Sequence, residues 1–553
     1  MSTQFKPLSI PPGVVATATK QMSSTNYSAV NMVRWTEGRL SPIGGQAKYN
    51  YTFASRCKAI HGWYDLSEIY HTAYLCESNL YIDVGGALLD ITPANGMIPP
   101  TPPTEGGYGD LLYNDGPPNT YGTPRNIGAD AAIDRVPDVY SLNNFGAILL
   151  AMTSSDGRLL HWDPAAAPGT LATVVTPKVT TPPCVVPNGR CFAVTPERFV
   201  QIFGSYNDGT ANDGGSFRRF AWCDQEDYTN WNYSDTTTQA GFLDIEPANP
   251  IITACPTRNG TIFWTGKKCY VSRYLGIPYV YNFTELGDSC TPWSPQSVVT
   301  TSSMVLWFSQ QGPYSFDGTS ILPVQCMTRA WIDEDIDLLN VREQACAVHV
   351  ANFNEFWWFF PQGPQTNPSG YNTRAVIYNY KEGWWGQAQC ARSAGVTASY
   401  TAHTIMANGT VSYEHEYGNQ YNDCDLPWIE TFDLNVFGYG KNTSPYLVGF
   451  TAGSTLTTVK QLLPDIQGAV SNVLYSLFYR ASRSLGLPEL QSVPKPVRSD
   501  GYVDMRTTGR DIRLRMDLAI PPGMIINGVA SSGAVLPVTV GQHLIDAVPR
   551  GDR

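Results

Sequence analysis

The sequence predicts an all-β protein, and three observations carry that prediction. The stretch "NEFWWFFPQG" (354–363) places five aromatic residues in a row, short apolar runs recur between tight turns, and the 553 residues include 49 Gly and 41 Pro. In a strand, neighbouring rings such as Trp357 and Trp358 point to opposite faces. The run is bounded by Asn-Glu and Pro-Gln-Gly, so it indicates a short strand that is buried on both faces.

A repeated hairpin pattern narrows the fold class. Apolar runs, Asp-Gly or Gly-Gly turns and further apolar runs follow one another in 73–93, 147–164, 304–324 and 404–418. Each stretch predicts two or three antiparallel strands joined by turns in which Gly or Asn adopts positive φ. Hairpin units with loose spacing favour a β-propeller, expected to be six-bladed, whose blades cover both faces of each neighbour. A β-sandwich would also explain the hairpins, but it leaves one face of most strands in water.

The chain divides into three expected segments. Residues 1–48 are predicted to be an N-terminal arm, 49–410 the propeller, and 411–553 a separate C-terminal β domain. Within the propeller, the Pro- and Gly-rich stretch 94–138 predicts a long loop at a subunit or partner contact. Helix is scarce, and 331–340 ("WIDEDIDLLN") predicts one short helix with an acidic first turn.

Charge and composition bear on the partners of the protein. The net charge is −11 without a basic run, which argues against gripping nucleic acid by phosphate neutralisation. Aromatic residues make up 12% and charged residues only 15%, which suggests an exterior covered by partner chains. A large β protein with a tolerant surface is the alternative. No apolar run is long enough for a transmembrane helix, and the first residues lack a signal-peptide pattern, so no membrane-spanning segment is expected.

The twelve cysteines are scattered singly and never form Cys-x-x-Cys. Zinc knuckles and thioredoxin-type redox sites need that short spacing. The sequence therefore predicts reduced, buried thiols that bind no metal and no cofactor.

Catalytic motifs are missing from the sequence. It contains no Gly-x-Ser-x-Gly, no phosphate loop and no His-Glu-x-x-His. "YEHEYG" (413–418) is interpreted as a surface strand in which Glu414 and Glu416 face away from His415. "DEDID" (333–337) lacks the Gly and terminal Glu of a calcium loop and is interpreted as a solvated helix start. We therefore expect no catalytic, cofactor-binding or metal-binding residues and no enzyme activity. Paired carboxylates on propellers keep a polysaccharide-binding or polysaccharide-degrading propeller, of tailspike or glycosidase type, as the alternative.

Nine stretches, taken in order, give the chain a family resemblance. It resembles the tail nozzle (tail hub, or packaged-DNA stabilisation) proteins of short-tailed, podovirus-type bacteriophages. The stretches are "NMVRWTEGRLSPIGG" (31–45), "GGYGDLLYNDGPPNTYGTPR" (106–125), "RFAWCDQEDYTNWNYSDTTTQAGFLDI" (219–245), "FWTGKKCYVSRYLGIPYVYNFTELGDSC" (263–290), "LWFSQQGPYSFDG" (306–318), "NEFWWFFPQG" (354–363), "VIYNYKEGWWGQ" (376–387), "YEHEYG" (413–418) and "TTGRDIRLRM" (507–516).

The resemblance implies a structural virion protein of the phage tail, assembled in the host cytoplasm. Six copies would form a homohexameric tube below the portal and the adaptor (head-to-tail connector) ring. The tube would retain packaged double-stranded DNA and conduct it at ejection without sequence-specific binding. Tail fibres or spikes, and a tail needle or plug, are the other expected partners.

Overall fold

The computed structural model describes residues 5–17, 26–100, 136–167, 169–178, 184–205, 217–245, 249–301, 303–397, 403–434, 456–480, 488–526 and 529–549. The expected loop at 94–138 lies mostly outside the described residues, because 101–135 are not among them.

The N-terminal strands do not form a free arm. They are β1 (Phe5–Leu8), β2 (Tyr27–Asn31), β3 (Val33–Thr36), β4 (Arg39–Pro42) and β5 (Gln46–Thr52). Strands β1, β2 and β4 pair with strands from the last quarter of the chain, β3 pairs with β4, and β5 pairs with a strand near residue 411. The N-terminal segment therefore supplies strands to two sets of sheets. Strands β1–β4 complete sheets formed by the last quarter of the chain, and β5 completes a sheet formed by the middle of the chain.

Among the described residues, the middle of the chain folds into seven four-stranded antiparallel sheets. In chain order they are blade 1, β6 (Cys57–Tyr64), β7 (Tyr70–Cys76), β8 (Leu80–Val84) and β9 (Ala87–Asp90); blade 2, β10 (Tyr140–Phe145), β11 (Ile148–Thr153), β12 (Leu160–Trp162) and β13 (Thr173–Val174); blade 3, β14 (Cys191–Val194), β15 (Val200–Phe203), β16 (Arg219–Trp222) and β17 (Gly241–Asp244). They continue with blade 4, β18 (Ile251–Thr257), β19 (Gly260–Thr265), β20 (Lys268–Tyr274) and β21 (Tyr281–Asp288); blade 5, β22 (Val298–Thr300), β23 (Val305–Ser309), β24 (Gly312–Phe316) and β25 (Ile321–Pro323); blade 6, β26 (Cys346–Val350), β27 (Glu355–Pro361), β28 (Asn372–Asn379) and β29 (Trp385–Ala388); and blade 7, β30 (Ala394–Thr397), β31 (Thr404–Asn408), β32 (Val411–His415) and β5.

The sheets form a closed ring. Each innermost strand lies beside the innermost strand of the next blade, and β30 of blade 7 lies beside β6 of blade 1. The all-β propeller is thus confirmed, but the expected count of six blades is wrong, since the described residues form seven. Blade 7 escaped the count because its outermost strand, β5, comes from the other end of the propeller segment, and because 411–415 (β32) belong to the propeller and not to the C-terminal domain.

The run of five aromatic residues lies in β27, every residue of which is buried. Phe356, Trp358 and Phe360 pack with residues of blade 5, whereas Trp357 and Phe359 pack in a different cluster with residues of blade 7. The predicted two-sided burial is therefore confirmed. Covering such a strand on both faces is what a propeller blade between two neighbours provides.

Two short helices connect blades 5 and 6. They are α1 (Arg329–Glu334) and α2 (Val341–Gln344), with 3-10 turns at Pro295–Ser297, Ala351–Phe353 and Val470–Asn472 elsewhere. The single helix expected over 331–340 is wrong. Helix α1 ends at Glu334, and Asp337 accepts the backbone N–H groups of Leu339 and Asn340 in a local turn, which competes with helix formation.

The C-terminal strands complete a second β domain together with β1–β4. They are β33 (Trp428–Thr431), β34 (Thr457–Leu463), β35 (Ile466–Gly468), β36 (Leu474–Arg480), β37 (Leu490–Gln491), β38 (Lys495–Pro496), β39 (Val503–Gly509), β40 (Asp511–Asp517), β41 (Ile525–Ile526), β42 (Val529–Ala530), β43 (Val538–Val540) and β44 (His543–Pro549). The sheet orders are β1-β44-β34-β39, β3-β4-β43-β35 and β2-β33-β40-β36-β37, with β38 also paired to β36 and β41 to β42. The alternation predicted around 512–516 is confirmed, since Ile512, Leu514 and Met516 are buried.

The propeller and the second domain share one hydrophobic core. Val33 and Trp35 from β3 pack in the same cluster as Trp357 of β27 and Leu514 of β40. The rings of Trp35 and Trp384 meet edge to face at 5.2 Å. Burial of each such side chain contributes about 1.5–3 kcal/mol, so the interface is cohesive like a domain interior. The two domains therefore form one continuous body.

Candidate functional site

The innermost strands surround a central channel, which is one candidate site. It contains a cavity of about 410 Å³ whose lining residues come from several blades, including Asn143, Thr253, Gln296 and Thr397. The residues that line the cavity include no Asp, Glu, Lys or Arg. This lining offers neutral hydrogen-bonding groups and lacks the pair of carboxyl groups that most glycosidases place across the scissile bond.

His349 is the titratable side chain in this lining apart from tyrosine and cysteine. Its Nε2 lies 3.4 Å from the hydroxyl of Tyr380, and its ring packs against Phe356. Burial lowers the pKa of His349, which keeps the imidazole neutral near pH 7. The residues described as lining the cavity therefore offer no charged side chain to a ligand.

The second candidate site is the junction between the propeller and the second domain, at the lower face. We use that term for the face that carries the turns from first to second and from third to fourth strand in each blade. Arg34 of β3 forms a bidentate pair with Glu355 of β27, with Nε–Oε1 and Nη2–Oε2 distances of 2.9 and 3.0 Å. Its Nη2 also lies 2.7 Å from Oε1 of Glu416, and its guanidinium covers the ring of Phe353. One buried cation thus joins blade 6, the segment after blade 7 and the second domain.

The junction satisfies its charges internally. Trp357 donates its indole N–H to Oε2 of Glu355 at 3.0 Å, and the backbone N–H of Gly44 donates to Oε2 of Glu416 at 2.9 Å. Burial alone would lower the pKa of Arg34, but the carboxylates of Glu355 and Glu416 raise it above its ordinary value. The guanidinium therefore stays charged. Moving one partner away would leave an uncompensated buried charge, which is costly. This cost holds the side chains of the junction in their positions.

A second buried arginine lies beside this junction. Arg392 donates from Nε to His415 Nε2 at 2.8 Å, from Nη1 to Asp423 at 2.7 Å and from Nη2 to Gln46 at 2.8 Å. Burial, with the charges of Arg392 and Arg34 adding to it, lowers the pKa of His415 well below its ordinary value. Neutral His415 can accept the bond from Arg392, so the cluster holds β5, β32 and the segment after β32 together.

The three charged or titratable side chains at 414–416 of the "YEHEYG" motif have different partners in the structure. His415 is buried and bonded to Arg392, whereas Glu414 Oε1 lies 2.6 Å from His403 Nδ1. Glu416 follows the strand with a φ of 64° and turns towards Arg34. The three side chains do not converge on one point, as expected, but the interpretation as a surface strand is wrong for His415. Nothing in the motif signals Arg34, because that partner lies more than 350 residues away in the chain.

The "DEDID" carboxylates also point to separate partners. Asp333 pairs with Arg329, Asp335 accepts hydrogen bonds from Gln362 and Thr366, and Asp337 accepts the N–H groups of residues 339 and 340. No group of three or more His, Cys, Asp or Glu side chains suited to a metal occurs within the described part of the chain.

The expectation of twelve reduced cysteines is corrected at one pair. Cys390 and Cys424 form a disulfide, with Cα atoms 4.5 Å apart, and the other ten cysteines are free. The pair connects the end of blade 6 to the segment that enters β33. Their separation of 34 residues gave no local signal, because only the tertiary fold brings the two positions together.

The lower face carries exposed apolar turns. Leu66 is 92% exposed in the β6–β7 turn, and Ile277 and Tyr279 are each 75% exposed in the β20–β21 turn. The first turn is held by Asp65, which accepts the N–H groups of Ser67 and Ile69. Clustered exposed apolar residues of this kind are typical of contact surfaces.

Comparisons with known proteins leave the family open. No protein-family model matches the chain, and no curated protein is significantly similar to it. A solved structure described as a glycoside hydrolase aligns with 90% of this chain and 99% of its own, at 8% identity and a TM-score of 0.23. That level of similarity supports no functional argument. Among the described residues, no helix is long and apolar enough to cross a membrane.

Proposed function

We propose that this chain is the tail nozzle subunit of a short-tailed bacteriophage. Six copies form a tube below the portal and adaptor rings, retain the packaged DNA and conduct it during ejection. Fibres or spikes attach to the outside of the tube, and a needle or plug occupies its end. The proposal follows from the ordered resemblance of nine sequence stretches to that family.

One structural observation supports it most directly. Three of those stretches, "NMVRWTEGRLSPIGG", "NEFWWFFPQG" and "YEHEYG", meet at the buried junction through Arg34, Glu355 and Glu416. Residues that look unrelated in the sequence thus build one contact between the propeller and the second domain. A tube wall under load from packaged DNA needs subunits without a hinge, and a shared core with a buried ion cluster supplies that rigidity.

The composition supports the same function. Six copies would carry a net charge of about −66, so the assembly as a whole repels the phosphate backbone. A wall rich in Lys and Arg would bind phosphates through counterion release and slow the passage of DNA. We propose that the wall of the tube is neutral or acidic.

Electron microscopy of the purified full-length chain tests this function. We expect rings of six copies with a central hole, and a reconstruction of the virion tail that shows the same rings with few Lys or Arg residues on the inner wall. Monomers alone, a different copy number within tails, or a basic wall would contradict the proposal.

The same preparation distinguishes the nozzle function from the polysaccharide-degrading alternative. Incubation with host capsule or lipopolysaccharide should release no fragments. Reproducible depolymerisation that is lost on replacing one carboxylate would instead establish a glycan-degrading propeller.

A further inference from the structure

A buried lysine bridges two blades that are not neighbours in the ring. Lys58 lies near the start of β6 in blade 1 and is 7% exposed. Its Nζ lies 2.9 Å from Oε1 of Gln344, the last residue of α2, which leads into blade 6. Blade 7, whose outermost strand is β5, lies between these two blades. The contact therefore spans the blade at which the propeller closes.

The amine lies next to the amide, within 2.9 Å of its oxygen. With a C=O bond of about 1.23 Å and a hydrogen-bond angle of at least about 90°, the amide carbon of Gln344 lies roughly 3.1–4.1 Å from Nζ. That range begins within the approach distance of about 3–3.5 Å at which positioned groups react. The backbone carbonyl of Glu343 accepts a second bond from Nζ at 3.4 Å and restricts the direction in which the amine can move.

A carboxylate lies next to the pair. Oε1 of Glu77 is 3.7 Å from Nζ, and the Glu77 side chain is 32% exposed, so it contacts both the amine and solvent. Burial, with the positive charge of Arg56 adding to it, lowers the pKa of Lys58. Both influences favour the neutral amine, which is the nucleophilic form.

We propose that Lys58 and Gln344 form an intramolecular isopeptide bond. The Lys58 ammonium gives one proton to Glu77, and Nζ then attacks Cδ of Gln344 to form a tetrahedral intermediate. Nζ loses a second proton, which the departing amide nitrogen takes up as the bond from Cδ to that nitrogen breaks. Ammonia leaves, the new amide joins Nζ to Cδ, and Glu77 returns its proton to solvent. No oxidant or cofactor takes part.

The bond would span the place where the propeller closes. Blade 7 is assembled from strands at opposite ends of the propeller segment, so the ring closes there through the pairing of β5 with β32. A covalent link between blades 1 and 6 holds both neighbours of blade 7 in place. This inference concerns the propeller itself and does not depend on the proposed function.

Mass spectrometry of the full-length protein after reduction tests the bond. We expect an intact mass lower than the sequence mass by one ammonia, and a branched proteolytic peptide that joins the segments around residues 58 and 344. Glu77→Gln should retain the fold and show the full sequence mass, or form the bond at least 10-fold more slowly. Lys268→Arg, at a partly exposed lysine paired with Glu285, is the matched control and should keep the mass loss.

The wild-type chain alone can overturn the proposal. An intact mass equal to the sequence mass after prolonged incubation of the folded protein, without the branched peptide, would show that the contact is only a hydrogen bond. Retention of the mass loss in Lys58→Arg would place the lost ammonia elsewhere and equally defeat it.

Discussion

Trp358 lies at the centre of the aromatic run and is fully buried between blades 5 and 6. Its indole N–H donates to the carbonyl of Ser297 at 3.0 Å, so even its polar atom has a protein partner. We expect Trp358→Asp to prevent accumulation of folded protein, because burying an unpaired carboxylate costs several kcal/mol. Yield and thermal unfolding measure the effect.

The control for this substitution is Tyr279→Asp, which puts the same charge at a position that is 75% exposed. It should unfold within a few degrees of the wild type. A cooperatively folded Trp358→Asp protein would contradict the buried position of β27.

His543 makes stability depend on pH. Its Nδ1 accepts the N–H of Asp465 at 3.0 Å, and its Nε2 lies 2.9 Å from the sulfur of Met516. Burial lowers the pKa of His543 from 6.5 to about 4. Between about pH 6.5 and 4 the unfolded chain binds a proton that the folded chain does not. The free energy of unfolding should therefore fall by up to about 3 kcal/mol as the pH drops through that window, and change no further from this group below it.

Chemical denaturation at pH 7 and at pH 4.5 measures this dependence. In His543→Gln the difference between the two pH values should shrink, whatever the stability at pH 7. His415 acts in the same direction, so a smaller slope will remain. An unchanged difference in the variant would show that His543 is not the group responsible.

Besides the apolar side chains of β3, its buried Arg34 contributes to stability. In Arg34→Met the carboxylates of Glu355 and Glu416 stay buried without their cation, and we expect a loss of roughly 3–5 kcal/mol in the free energy of unfolding. The double variant Arg34→Met/Glu355→Gln should lose less than the single variant, since it removes one of the two stranded charges. Denaturant unfolding compares them.

Arg506→Met is the matched control for the loss of a salt bridge. Arg506 pairs with Asp504 at 2.9 Å, but its side chain is 78% exposed. Its removal should change stability by no more than about 0.5 kcal/mol. Equal losses in the two single variants would show that burial does not strengthen the Arg34 pairing.

At the scale of the whole molecule, the exposed apolar β20–β21 turn lies on the face that also carries the second domain. In the proposed ring we expect Ile277 and Tyr279 to contact a neighbouring subunit, because aromatic and apolar residues in well-ordered turns suit such contacts. The double variant Ile277→Asp/Tyr279→Asp should fold normally but lower the fraction of assembled rings at least 10-fold, as measured by sedimentation.

Leu322→Asp provides the matched control for this assembly test. Leu322 is also exposed, at 54%, but lies in β25 away from that turn. It should assemble like the wild type. Normal assembly of the double variant would exclude the β20–β21 turn from the subunit contact.

Local pattern in the sequence determined the all-β class, the hairpins and the two-sided burial of the aromatic run. Each of these depends on neighbours within a few residues, since side chains alternate with a period of two and turns need particular residues at particular positions. The half-buried alternation of β40 could be predicted for the same reason. The nozzle function, which is carried by resemblance, stays a prediction.

Only the tertiary structure decided the count of seven blades, the closure of blade 7 by β5 and the place of β1–β4 in the second domain. The same holds for the Arg34–Glu355 pair and the Cys390–Cys424 disulfide. These features join positions from 34 to more than 300 residues apart. Complementary strand edges, charges and packing determine these partners once the chain has collapsed. The spacing of residues along the sequence therefore does not show which distant residues will meet.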